Sequence, residues 1–102
     1  MSRSSLPTPC LVVVMPCYNE EEVLPRTFGV MSVLLARYVA SGLVAASSYV
    51  LCVDDGSRDQ TWKLISNESD TNGYIQGLKL SRNSGHQNAV LAGLSSVQEA
   101  QI

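Results

Sequence analysis

A chain of 102 residues has room for one small domain built around one core. At 45% hydrophobic and 16% charged it is expected to fold rather than stay disordered, and its net charge of −2 lacks the basic footprint that a nucleic-acid partner requires. Among the cysteines Cys10, Cys17 and Cys52, no two have metal-ligand spacing; with no secretory signal in view, reduced thiols and a cytosolic setting are expected.

In chain order, residues 1–10 are rich in Ser and Pro and read as a flexible leader before a domain over residues 11–102. Residues 11–15 form an apolar, largely β-branched run without alternation, the pattern of a strand buried on both faces of a parallel sheet. Leu24, Phe28, Met31, Leu35 and Tyr38 then recur at helical spacing, and Gly42 is a natural stop. Residues 49–53 are a second strand-like run, in which Cys52 reads as a small buried hydrophobe. Trp62 and Ile65 mark a short second helix, Asn72-Gly73 a turn, residues 74–80 a weaker third strand, and Val90, Leu94 and Val97 a third helical face. No apolar stretch reads as a membrane span: residues 30–51 are interrupted by Arg37, Gly42 and several serines. The order β-α-β-α-β-α implies an α/β, Rossmann-like three-layer sandwich with a mostly parallel sheet and right-handed crossovers.

Each strand-to-helix junction carries a Ser or Asn followed three residues later by Glu or Gln. The pairs are Asn19 with Glu22, Ser57 with Gln60 and Ser84 with Gln87, and each fits a capping box. Pro25 would lie inside a helix capped by Asn19, so an irregular first turn is expected, with the regular helix starting at Pro25. All three junctions fall at the carboxyl ends of the strands, the edge at which open α/β sheets bind ligands and helix N-termini favour phosphate. That rim collects Asn19, Glu20, Asp54, Asp55, Ser57, Asn83, Ser84 and His86.

Asp54 and Asp55 end the second strand, and Gly56 turns the chain. A carboxylate there can accept hydrogen bonds from a base N–H or from ribose hydroxyls, or else serve an Asx-type turn. Asp54 is open between the two roles, and Asp55 is the stronger functional candidate. Tyr18 follows the first strand, where its ring could stack on a nucleobase or simply pack. His86, the sole histidine, has no identifiable acid or nucleophile beside it and is assigned no catalytic role.

Three segments, Val14-Met-Pro-Cys-Tyr-Asn-Glu20, Val53-Asp-Asp-Gly-Ser-Arg-Asp-Gln-Thr61 and Leu80-Ser-Arg-Asn-Ser-Gly-His-Gln-Asn-Ala89, follow one another in register. Together they resemble family 2 glycosyltransferases of the GT-A fold, and most of all the polyprenyl-phosphate sugar transferases. The resemblance implies a nucleoside-diphosphate-sugar donor, transfer with inversion at the anomeric carbon, and a lipid-phosphate acceptor. It places Pro16, Tyr18 and Glu20 at the base and ribose, Val53 and Asp55 at the base-binding strand end, and Asn83 and Gly85 beside the nucleotide and phosphates; Asn19 and Asp54, next to them on the rim, complete the expected nucleotide-sugar-binding set. It also implies Mg²⁺ or Mn²⁺ in the full-length parent, held by an acidic D-x-D-type motif beyond a fourth strand, and hence past Ile102. No catalytic residue and no metal ligand is therefore expected in this stretch, and none of the cation is expected to be bound by this chain alone. The expected location is the cytoplasm, or the cytoplasmic face of a membrane if the parent carries a C-terminal anchor.

Two other classes compete with this reading. A receiver-type signalling domain shares an acidic pair after a hydrophobic strand, but that pair should close the first strand rather than the second. A non-catalytic nucleotide-binding or interaction module would keep the same rim without chemistry. A half-domain would also leave an uncovered sheet face and a free strand edge, through which self-association is possible. The purified 102-residue chain is expected to transfer no sugar from a nucleotide sugar; product formation above a no-protein control would overturn that expectation.

Overall fold

The computed structural model describes residues 8–101. Three strands, β1 (Val12–Cys17), β2 (Tyr49–Asp54) and β3 (Ile75–Lys79), alternate with three helices, α1 (Leu24–Ala40), α2 (Thr61–Thr71) and α3 (His86–Gln101). The sheet is parallel throughout in the order β1-β2-β3, with Val14 opposite Leu51 and Cys52 opposite Gly77. The fold class expected from the alternating pattern is the one observed, and each strand boundary lies within two residues of its expected place.

Alternation along the strands sends side chains to two separate cores. Val13, Met15, Cys17, Val50, Cys52 and Ile75 face α1 and α2, where they meet Leu24, Phe28, Leu35 and Ile65. Val12, Val14, Leu51, Val53 and Leu78 face α3, where they meet Ala89 and Val97. Both faces of the sheet thus carry a helical layer, and the uncovered face anticipated for a half-domain is not found. What stays free is backbone at the two edges, β1 and β3.

The helix ends show what the sequence pattern could and could not resolve. Gly42 (φ 79°) closes α1 in a Schellman arrangement, its own N–H on Val39 O and the Leu43 N–H on Tyr38 O, as its position suggested. Pro25 sits in the first turn of α1, which begins at Leu24 after a turn in which Glu20 O accepts the Val23 and Leu24 N–H groups. The irregular entry is therefore as expected, and proline in a first turn removes no helical bond. Of the leader read over residues 1–10, only residues 8–10 are among those described; there the Pro9 carbonyl accepts the Ala45 N–H at 2.8 Å.

The face of α3 differs from the expected Val90, Leu94 and Val97. The buried line runs through Ala89, Gly93 and Val97, while Leu94 is exposed and Val90 is half-buried. Small residues at two successive turns let the helix axis come close to the sheet, which rotates the larger side chains outward. A Cβ at Gly93 would lie 2.6 Å from Val14 Cγ1 and 2.9 Å from Val53 Cγ2. Gly77 permits a similar approach of α2, since a Cβ there would meet Ile65 Cγ2 at 2.6 Å.

Two glycine substitutions should therefore move stability in opposite directions. Gly29 lies within α1, and a methyl group added there would have nothing within 4 Å, so Gly29→Ala gains about 1 kcal/mol of helix propensity and raises the melting temperature. Gly93→Ala gains the same propensity but forces apart two strand side chains, an overpacking cost of about 1–3 kcal/mol, and lowers it. Thermal denaturation followed by circular dichroism reads both signs.

Candidate functional site

Parallel pairing places the ends of all three strands, and the three loops that follow them, on one rim. The loop after β1 is tied to the loop after β2 by side chains that accept backbone N–H groups. The Asn19 N–H donates to Ser57 Oγ (2.9 Å), and the Arg58 N–H donates to Asn19 Oδ1 (2.8 Å). The Glu20 N–H donates to Thr61 Oγ1 (2.8 Å), and the Glu21 N–H to Asp59 Oδ2 (3.3 Å). Asp59 Oδ1 also accepts the Thr61 N–H at 2.9 Å. Asn19 holds φ at 49°, a left-handed conformation that asparagine tolerates better than most residues.

These bonds correct the capping-box reading at the first two junctions. The residue preceding α1 is Val23 and that preceding α2 is Gln60, and neither makes a side-chain cap. Asn19 and Ser57 lie too far ahead of the helices to cap them, and they join the two loops to each other instead. At the third junction the Ser84 hydroxyl is donated to Asp55 Oδ1 at 3.1 Å, and α3 begins at His86.

The two aspartates that end β2 are both buried, Asp54 at 0% exposure and Asp55 at 1%. Asp54 Oδ1 accepts the Ser57 N–H at 3.3 Å, closing an Asx-type turn, while its Oδ2 is buried with no hydrogen-bond partner among the described residues. Asp55 is fully engaged: Oδ1 takes the Ser84 N–H (2.8 Å) and hydroxyl, and Oδ2 takes the Gly85 N–H (3.1 Å). Gly56, at φ 74°, lets the backbone of Arg82 and Asn83 pass within 2.4 Å of where a Cβ would stand. The loop after β3 is thereby drawn across the end of β2.

Of the residues singled out from sequence, Tyr18 and Glu20 are half-buried on the rim, while Asn19, Asn83 and Gly85 are exposed there. Pro16 lies at the other side of β1, lining an open apolar cleft of about 510 Å³ with Gln87, Val90 and Leu91. Val53 is wholly buried in the α3-side core, so its side chain is not open to a ligand. A second, more polar hollow is bounded by Asn19, Glu20, Glu21, Glu22, Val23 and Asp59. Thr61 and Asp59, which organise this side of the rim, were not singled out from sequence. Their signal was present in the Asp-x-Thr spacing at the start of α2, which fits a side-chain-to-backbone turn.

No three His, Cys, Asp or Glu side chains gather as cation ligands among the described residues. The oxygens of Asp55 and Asp59 already face N–H donors, a set that does not suit a hard divalent ion. Cys17 and Cys52 are free and fully buried beneath the rim. The Cys52 sulfur beside it and burial together push the Cys17 thiol well above its ordinary value, which keeps it protonated and inert. Among the described residues no helix is long and apolar enough to cross a membrane.

The fold and rim define a partial Rossmann-like α/β domain with its polar loops gathered at one sheet end. The chain belongs to glycosyl transferase family 2, whose family model matches residues 12–102. It is 48% identical over 86 residues to the uncharacterized glycosyltransferase YkoT of Bacillus subtilis (strain 168), covering 84% of this chain and 26% of that protein. It is 38% identical over 87 residues to the undecaprenyl-phosphate 4-deoxy-4-formamido-L-arabinose transferase of Enterobacter sp. (strain 638), covering 83% of this chain and 24% of that protein. The protein of the same description from Pseudomonas fluorescens (strain SBW25) is 36% identical over 89 residues, covering 85% of this chain and 24% of that protein. The chain spans about a quarter of the length of these relatives. The three-stranded parallel sheet with its helices is thus a partial GT-A fold.

Asp59 gives the rim a pH signature. Its partial burial acts to raise its pKa, but the Thr61 hydroxyl and the backbone N–H groups of Thr61 and Glu21 outweigh that and hold it below the ordinary carboxylate value. A carboxylate whose native pKa is depressed stabilises the fold above its unfolded value, and that contribution fades as pH falls through the depressed native value. Asp59→Asn should therefore be less stable than the unsubstituted chain at pH 7, with the gap narrowing as the pH falls from the ordinary carboxylate value through the depressed one. Urea denaturation at pH 7 and at acid pH reads the difference.

Proposed function

We propose that this chain is the nucleotide-sugar-binding part of an inverting glycosyltransferase that moves a sugar from a nucleoside-diphosphate donor to a polyprenyl phosphate. The observation that carries the reading is the gathering of three family-type segments, through Asn19, Asp55 and Asn83, at the carboxyl ends of parallel strands. Loops at this edge sit before helix N-termini, whose partial positive charge suits a diphosphate. In this reading Tyr18, Asn19 and Glu20 border the base and ribose on one side and Asn83 and Gly85 on the other. The end of β2, at Val53, Asp54 and Asp55, lies between them with its side chains buried and supports the loops from beneath, and Pro16 borders the neighbouring apolar cleft.

Relatives whose names specify undecaprenyl phosphate support the choice of acceptor class. A nucleoside-diphosphate-sugar donor, inversion, an Mg²⁺ or Mn²⁺ requirement in the full-length parent, and a location in the cytoplasm or at the cytoplasmic face of a membrane belong to the same proposal. A carboxylate buried at the end of a strand is costly unless it is hydrogen-bonded, and such arrangements recur where ligands are held.

Titrating UDP, GDP and their sugar conjugates with Mg²⁺ into the 102-residue chain, followed by amide NMR, tests the reading. Saturable shifts confined to residues around Tyr18, Asp55 and Asn83 are expected, with one base preferred. A well-dispersed spectrum that none of these ligands perturbs would overturn nucleotide binding by this rim.

A further inference from the structure

The outward side of α1 lacks the polar residues that a helix facing water carries. Its inward line runs through Leu24, Phe28 and Leu35, all buried against the sheet. On the opposite side Arg26, Val30, Val33 and Arg37 follow one another at alternating steps of four and three, a single ridge along the helix. Val30 is 50% exposed and Val33 52%, and Leu34 and Tyr38 lie exposed beside them. The two guanidinium groups are the only charges on α1, which carries no carboxylate although the chain as a whole has a net charge of −2. Neither arginine is paired with a carboxylate among the described residues. They bracket the valines about 16 Å apart along the helix axis.

We propose that this face of α1 docks on the anionic surface of a lipid bilayer, with the helix lying in the plane of the interface. A contiguous apolar stripe on an outer helix face marks a contact surface. The charge pattern selects the kind of partner. A protein lid over the valines would have to bury two guanidinium groups within its own contact and pair each of them. Headgroup phosphates meet both from one plane, and the guanidinium fork matches their oxygens. The arginine stems lie along the apolar stripe with their charges at the headgroups, while Val30, Val33 and Leu34 enter the acyl boundary and Tyr38 takes the interfacial level. Glu20, Glu21 and Glu22 precede the helix at the rim end and are repelled by anionic lipid, so the contact is firmest at the Arg37 end. The proposal does not depend on the nucleotide reading of the rim. The rim, at the N-terminal end of α1, would then open along the bilayer rather than away from it.

Co-sedimentation of the 102-residue chain with vesicles tests the proposal, using phosphatidylcholine alone and phosphatidylcholine mixed with phosphatidylglycerol. Expected is binding to the mixed vesicles that weakens as salt is raised and is weaker still on phosphatidylcholine alone. Arg37→Gln should lower the affinity for mixed vesicles about fivefold, and Arg26→Gln, nearer the carboxylates, by less. Val30→Ser with Val33→Ser should remove most of the binding at low salt while the circular dichroism spectrum stays that of the unsubstituted chain. If the serine pair does not fold, the two arginine variants decide the matter alone. Three results would overturn the proposal. The folded chain could stay in the supernatant with both kinds of vesicle. It could bind with an affinity that neither the arginine nor the valine substitutions change, which would place the contact elsewhere. Or light scattering without lipid could show a dimer that Val33→Ser turns into a monomer, in which case a second copy covers the face.

Discussion

β2 is hydrogen-bonded to a strand on each side and covered by helices on both faces, so it delivers two adjacent carboxylates into a site almost without solvent. Carboxyl groups buried in such a place have to be met by donors. The loops supply them: Ser57 turns back onto Asp54, and the turn at residues 83–85 closes onto Asp55. The arrangement of the rim follows from satisfying the end of this one strand. Even the link to the loop after β1 is part of it, since Ser57 serves both Asp54, through its N–H, and Asn19, through its hydroxyl.

The same constraint explains why the helix entries are not capped by side chains of the usual kind. The polar residues at the first two junctions are occupied in joining loops, and the turn at Glu20 and the side chain of Asp59 meet the local N–H groups instead. Two buried thiols lie just below, packed as apolar groups under the polar layer. The domain thus changes over a short distance from an apolar core to a dense hydrogen-bonded edge, which is the gradient a ligand site on an α/β sheet needs.

Much of this was legible from sequence because the signals were local. The runs around Val13 and Val50 and the helical spacing of Leu24, Phe28 and Leu35 depend on near neighbours, and so does the stop at Gly42. The face of α3 was not legible, because hydrophobicity favoured Val90 and Leu94 whereas the sheet selected the small Ala89 and Gly93, a choice made by a distant partner. The capping boxes failed for a related reason. Ser and Asn before a helix have the same local pattern whether they cap it or reach a loop some 38 residues away, and only the parallel pairing of β1 with β2 brings that loop within reach. Asp55 was recognised as special, yet its partners at Ser84 and Gly85 are about 30 positions distant and carry no sequence mark of the bond.

Pro16 has a consequence for assembly. Leu11 and Cys17 direct their carbonyls to β2, where they accept the Tyr49 and Asp55 N–H groups, so the odd-numbered residues of β1 face inward along the ladder. The backbone groups of Val12, Val14 and Pro16 then face the free edge, and the last of these has no N–H to give. Any strand laid against β1, whether from another segment of a longer chain or from a second molecule, finds donors at Val12 and Val14 and none at the end nearest the rim. The edge accepts company along its lower length and ends it there, which protects the mouth of the loops from being zipped shut by β-addition.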